Sequence, residues 1–439
     1  MKKTLLFILC FLGYFSYAQH TISGTFSPAD EYSWIIAYRL TPTSQAYVAD
    51  TSIKKGQFNL EIPKSALPGT YRIVYAVPQD EFYFDILYSG NEDIILDFKS
   101  DEVLTFSASK ENILFSTYFN EIADSEQGII NYYSEGNKNT NKYNKLNEDL
   151  LNIQNSYENK ANNLLVSNLI KANRPFISTK YLTPTQYIES KKKSYFEYID
   201  LNNSILQSSQ FIKNKLVNYV FTALPLKTLT DVETENEIQL NIKLIATKIQ
   251  ELPENYQFVL LHAVWENAIA LQLNNTADFI LNEYLTSKAK SEENKKTLEK
   301  IVAENRLRIG AIAPEIEWQS KGEVKKLSTI KNTTNYLVIF WSSTCSHCLH
   351  ELPAMHKELK KHPNVKVIAV GLEDDEVTWR LESEKLADFE HAIALGKWES
   401  KYAKLYDIHQ TPTYYILDNQ KRIIAKPESD KEVIKFLEH

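Results

Sequence analysis

With 439 residues, 43% of them hydrophobic and 24% charged, the chain has the composition of a folded protein of about two to three domains, not a disordered one. A net charge of −7 and no long basic stretch exclude the electrostatic footprint of nucleic-acid binding, so the expected partners are proteins or small molecules. Three cysteines are too few for a disulfide framework.

In chain order, the first element is a targeting segment, residues 1–18. Lys2 and Lys3 form a positive start, "TLLFILCFLGYF" an apolar run, and Ser16-Tyr17-Ala18 puts small residues where a signal peptidase cuts before Gln19. The alternative is an anchor left in the membrane, for which the run is short of the ~20 residues a spanning helix needs. Cleavage predicts an exported, soluble chain. Cys10 leaves with the segment, and Leu9 before it is not the small residue that precedes a lipid-attachment cysteine. The mature chain then keeps only Cys345 and Cys348, a pair expected to be chemical and not structural.

Residues 19–108 are expected to form an all-β, sandwich-like domain. "HTISGTF", "GQFNLEIP", "TYRIVYAV", "FYFDILYS" and "DIILDF" are short Ile-, Val-, Tyr- and Phe-rich runs separated by turn signals such as Pro68-Gly69 and Gly90-Asn91. That pattern argues for an antiparallel sandwich. Residues 109–305 are expected to be α-helical. Apolar residues recur at helical spacing, as in Phe211, Ile212, Leu216, Tyr219 and Val220. "FVLLHAVWENAIALQL" reads as a buried helix and "GNKNTNKYNK" as a solvated loop. Residues 306–439 alternate strands and helices. "NYLVIFW" and "NVKVIAVGL" are buried strands, "PTYYILD" with "NQKRIIAK" a hairpin, and "KEVIKFLEH" a last helix, which together make an α/β layer. The whole is therefore multidomain.

The chemistry lies in "FWSSTCSHCLHELP". A Cys-x-x-Cys between a strand and a helix places Cys345 at the helix N-terminus, where free N–H groups and the positive dipole end favour a thiolate. Cys348, one turn on, is placed to resolve a mixed disulfide. Two readings stand for His347: a cation that stabilises the thiolate, or an exposed polar filler. Leu349 occupies the place of the histidine in covalent haem attachment. Zinc would need ligands on divergent faces of one helix, such as His347, His350 and His356. The proline and threonine of a peroxidatic cysteine are absent upstream. Neither metal nor cofactor is implied.

The C-terminal region resembles the TlpA/ResA-like thiol-disulfide oxidoreductases of the thioredoxin superfamily. "GAIAPEIEW" and "GEVKKLSTI" resemble the entry segment, "FWSSTCSHCLHELP" the active-site motif and "HQTPTYYILD" the cis-proline motif. The resemblance covers about residues 309–439 and implies an α/β thioredoxin fold. It implies that Cys345 is the nucleophile, Cys348 the resolving thiol of a redox-active disulfide and Pro353 the proline of the first helix. Pro412 corresponds to the cis-proline, with an ordinary trans proline in a turn as the alternative, and the backbone of Thr411 would pair with an extended substrate. Trp341 and His347 complete the expected substrate-facing set. Glu351, three residues after Cys348, lies near one helical stripe with both cysteines and corresponds to an acid that exchanges protons with the resolving thiol; a surface glutamate favouring the helix dipole is the other reading. The interval between Cys348 and Pro412 suits an extra βα insertion. The chain departs from minimal thioredoxins at Ile339, where they carry a buried Asp, and at Thr344, where they carry Trp.

The implied function is exchange between this dithiol and protein disulfides in the periplasm or cell envelope of a Gram-negative bacterium, in the reducing direction. The implied partners are disulfide-bearing proteins and a membrane-bound or periplasmic thiol electron donor. The N-terminal extensions are expected to dock a partner or present a substrate. A non-catalytic thioredoxin-fold binding module and a thiol peroxidase are the alternatives.

Overall fold

The computed structural model describes residues 20–320, 322–331 and 333–438. The expected signal segment 1–18, with Lys2, Lys3 and Cys10, lies outside the described residues. The chain divides into two units, residues 20–230 with 247–252 and residues 231–246 with 253–438. Helices that the sequence groups into one stretch are thereby shared between the units.

In the first unit, strands β1 (Thr21–Ser27), β2 (Trp34–Leu40), β3 (Gln45–Ser52), β4 (Gln57–Glu61), β5 (Gly69–Val74), β6 (Tyr83–Tyr88), β7 (Ile94–Lys99) and β8 (Thr105–Ala108) form two sheets. Their orders are β4–β1–β7–β8 and β3–β2–β5–β6. One apolar core draws on both, with Ile22, Leu60 and Leu96 from the first sheet and Ile35, Ile73 and Ile86 from the second. Alternation is clearest in β4, where Phe58 and Leu60 are buried between exposed Gln57, Asn59 and Glu61.

Two features differ from the expected antiparallel arrangement. Strand β1 runs parallel to β7, with Ile22 opposite Ile94 and Phe26 opposite Phe98. Periodicity tells which face a side chain takes, not the direction of a partner 72 residues away. The close approach needs Gly24, since a Cβ there would stand 1.8 Å from the Leu96 carbonyl oxygen. Strands β2, β3 and β8 are additional to the five expected runs; β3 has no buried residue and so no alternation to read.

Helix α1 (Lys110–Ser134) is tied to the second sheet at its start. Ser109 caps it, accepting from the N–H of Asn112, and Glu92 accepts from the Ser109 hydroxyl (2.7 Å) and the Lys110 N–H (2.9 Å), an acid at the positive helix end. The buried Asn112 amide accepts from the N–H of Leu87 and donates to its carbonyl, both at 2.8 Å, and so covers part of the β6 edge. Helix α2 (Thr140–Lys160) starts inside the stretch expected as a loop. Asn139 caps it, and Tyr143, fully buried, gives the polar sequence an anchor. Helices α3 (Pro184–Ser194) and α4 (Phe211–Thr222) follow.

In the second unit, α5 (Glu254–Ala270) is the expected buried helix, with Phe258, Leu261, Val264 and Trp265 in its core face. A hairpin of β9 (Glu317–Ser320) and β10 (Glu323–Lys326) precedes a five-stranded sheet. Its strands are β11 (Asn335–Trp341), β12 (Val365–Glu373), β13 (Glu390–Leu395), β14 (Thr413–Leu417) and β15 (Ile423–Ala425), ordered β13–β12–β11–β14–β15. Central β11 is parallel to β12 and antiparallel to β14. Leu337, Ile339 and Trp341 pack against Cys348, Leu352 and Met355 of α6 (Ser346–Leu359). Tyr336, Val338 and Phe340 enter the opposite core with Tyr402 and Tyr406. Burial on both faces explains why β11 is an unbroken apolar run. Between β12 and β14 come α7 (Val377–Ser383) and edge strand β13, an extra strand and helix in the interval of the expected βα insertion, and α8 (Asp430–Leu437) closes the sheet's α6 side.

Candidate active site

The site forms at the C-terminal end of β11, where the chain turns into α6. Cys345 is the N-cap of that helix, in extended conformation, and its sulfur accepts from the Cys348 N–H at 3.4 Å. Both cysteines are free thiols; Cys345 is half-buried and Cys348 fully buried. The Cys345 thiol also lies 3.3 Å from the Thr411 carbonyl oxygen, to which it can donate. The Thr411–Pro412 peptide bond is cis, and both residues remain partly accessible beside the thiol.

The two sulfurs differ electrostatically. Burial acts on Cys345 against the thiolate, but the Cys348 thiol, the Thr411 hydroxyl and the N–H groups of Cys348 and His347 outweigh it and hold Cys345 below the ordinary thiol range. Burial, with the Cys345 sulfur alongside, pushes Cys348 up to about 12. One thiol is thus poised to ionise and its neighbour is held protonated.

The other expected residues divide. His347 is exposed and acts on the Cys345 sulfur through its backbone N–H. Trp341, expected to face substrate, is corrected by its position: at 1% exposure it is packed with Cys348, Leu352 and Tyr414 beneath the site. It ends a strand whose alternate residues all point into that core. Glu351 is half-buried, and its carboxylate accepts from the Tyr414 hydroxyl at 3.0 Å. Pro353 is an exposed residue within α6.

Two residues were not singled out from the sequence. Tyr414, buried on β14, has its phenol pushed far up by burial and then by the Glu351 carboxylate, with the Cys348 sulfur also contributing. It is two residues after Pro412, in a motif where Thr411 and the proline alone drew notice. Glu373, 2% exposed, closes β12 and accepts from the Ser343 N–H (2.5 Å) and the Ser342 hydroxyl (3.3 Å), bracing the loop before Cys345. Its signal was an acid ending a buried strand at the sheet edge where α/β sites form.

A strand, a Cys-x-x-Cys helix start, a βα insertion and a hairpin opening on Thr411–Pro412 therefore share one sheet. A family model described as the AhpC/TSA family matches residues 309–426. The C-terminal region is a thioredoxin-superfamily domain. Solved structures similar to this chain include a domain of a "possible thiol-disulfide isomerase" from Cytophaga hutchinsonii, 27% identical over 30% of this chain and 91% of that one, TM-score 0.27. The thioredoxin domain of a thiol-disulfide oxidoreductase from Bacteroides vulgatus is 24% identical over 30% and 96%, TM-score 0.27. A thioredoxin-like protein from Bacteroides caccae is 17% identical over 60% and 96%, TM-score 0.31. No curated protein matches the chain.

Proposed function

We propose that the protein is an exported thiol-disulfide oxidoreductase of the cell envelope that reduces disulfides in other proteins. The observation that carries this reading is the asymmetry of the pair: Cys345 accessible and held low, Cys348 buried and pushed up to about 12. In the reaction, the Cys345 thiolate attacks one sulfur of a substrate disulfide and the other leaves as a thiolate that takes up a proton. The Cys348 thiol then loses its proton and attacks the Cys345 sulfur, releasing the second substrate thiol and leaving the Cys345–Cys348 disulfide. Two electrons pass to the substrate, and an envelope thiol donor restores the dithiol. Thr411 and Pro412, beside Cys345, are the substrate-facing pair, and Glu351, held by Tyr414, exchanges the Cys348 proton.

Replacing Cys348 by Ser is expected to accumulate mixed disulfides with envelope proteins, and replacing Cys345 to abolish them; equal trapping by both variants would refute the assignment. Equilibration with glutathione sets the direction. A potential near the thioredoxin reference of about −270 mV supports a reductant, one near about −120 mV an oxidant, and no exchange a binding module. The match to the AhpC/TSA family favours a second reading, a thiol peroxidase. Stoichiometric consumption of peroxide by the dithiol would establish it.

A further inference from the structure

The first unit contains a cavity of about 1020 Å³ between strands β5 and β6 and helices α1, α3 and α4. Its volume is that of a small-molecule site, and such sites are mostly apolar with a few placed polar groups. Phe115, Phe119, Ile130, Ile188, Phe211 and Leu224 supply the apolar wall. None of the six is fully buried, and Ile130 is 52% exposed, so apolar surface remains uncovered there.

One end of this wall is charged. A second, more polar cavity of about 450 Å³ adjoins, and Glu126, Lys191, Tyr195, Lys215 and Asn218 line both. The charges lining the two cavities are unevenly matched. Glu126 is paired with Lys191 at 2.6 Å, Asp85 with Arg72 at 2.9 Å, and Arg174 with Glu158 at 2.7 Å. Among the described residues no ion pair engages Lys215, whose ammonium stands 5.5 and 5.6 Å from the ring centres of Phe211 and Tyr195, while the nearby Glu126 carboxylate is already paired with Lys191. A cation set at the junction of an apolar and a polar chamber calls for an anion with an apolar tail.

We infer that this cavity binds a free single-chain amphiphile with one anionic head, its tail along the Phe115–Phe119 wall and its head paired with Lys215. Without a direct ion pair the lysine is costly to charge: burial, partly opposed by Glu126 and reinforced by Lys191, brings it down to about 8. Tyr187 and Lys192 on α3, and Tyr195, Glu197 and Tyr198 just after it, complete the titratable groups lining the two chambers. Affinity for the anion therefore falls as pH rises through about 8 and Lys215 loses its proton. The site uses no residue of the dithiol chemistry.

Calorimetric titration of the purified full chain with decanoate, decanol and decyltrimethylammonium at pH 7 tests the assignment. Decanoate is expected to bind at one site, decanol about tenfold more weakly and the cation not at all. Lys215→Met should lower decanoate to the decanol level, leave decanol and thiol-disulfide exchange unchanged, and hold or raise the melting temperature. Ile188→Trp, which narrows the apolar chamber, should weaken both ligands. Equal binding of decanoate and decanol, an indifferent Lys215→Met, or no binding of any ligand would overturn the proposal. So would cosedimentation with phosphatidylglycerol vesicles that is lost in Lys215→Met, since that outcome assigns the lysine to a membrane lipid.

Discussion

Cys345 and Cys348 stand one helical turn apart and have opposite acid–base character, which makes a prediction independent of any substrate. The reduced pair carries two protons below the Cys345 pKa and one above it. The reduction potential should fall by about 59 mV per pH unit in the first range and about 30 mV in the second, since a tenfold change in a two-electron equilibrium is about 30 mV. The break is expected below the ordinary thiol value of about 8.5, and the shallower slope should persist toward pH 12, where Cys348 ionises. A single slope through neutral pH, measured by glutathione equilibration, would refute the asymmetry. Glu373 gives a second test at this scale. Glu373→Ala leaves the buried Ser343 N–H without its acceptor, while the Ser342 hydroxyl keeps Thr344 as a partner, a loss of about 1–3 kcal/mol in denaturant unfolding. Glu373→Gln keeps an acceptor and should lose less.

Helix α6 and strand β14 meet at the site through one side-chain hydrogen bond, from the Tyr414 hydroxyl to Glu351. If Glu351 exchanges the Cys348 proton, Glu351→Gln should slow resolution of a trapped mixed disulfide by about a hundredfold, the lower end of general acid–base contributions, while alkylation of Cys345 keeps its rate. Tyr414→Phe should do the same more weakly, because it frees the carboxylate without removing it. Parallel loss of both rates would mean a general disturbance of α6. These elements also show what the sequence made legible. β11 was readable because a strand buried on both faces is an unbroken apolar run, and the helix start because Cys-x-x-Cys follows it directly. The partners Tyr414 and Glu373 come from strands 63 and 30 residues further on, and no periodicity links them to the cysteines. Trp341 was misassigned for the same reason: proximity in sequence to Cys345 does not say which face of β11 it takes. In the first unit, β4 announced itself by alternation while β3, without a buried residue, could not.

At the scale of the molecule, each unit holds an apolar core of its own. Ile22, Ile35, Ile73 and Leu96 belong to one in the first unit, and Leu337, Ile339, Cys348 and Ile416 to one in the second. A chain with separate cores need not unfold in one all-or-none step. Cys345 and Cys348, with Trp341, Leu352, Thr411 and Tyr414 beside them, lie in the second unit. Closing the Cys345–Cys348 disulfide is therefore expected to act on the stability of that unit. Calorimetry is expected to resolve two transitions, of which oxidation moves one and leaves the other in place. Decanoate, if Lys215 holds it, should raise the transition that oxidation leaves unmoved, because a ligand that binds only the folded state stabilises the unit it binds. The two perturbations then label the two transitions separately. A single transition that both perturbations shift together would show that the units unfold as one, and neither could then be treated as an independent carrier of its site.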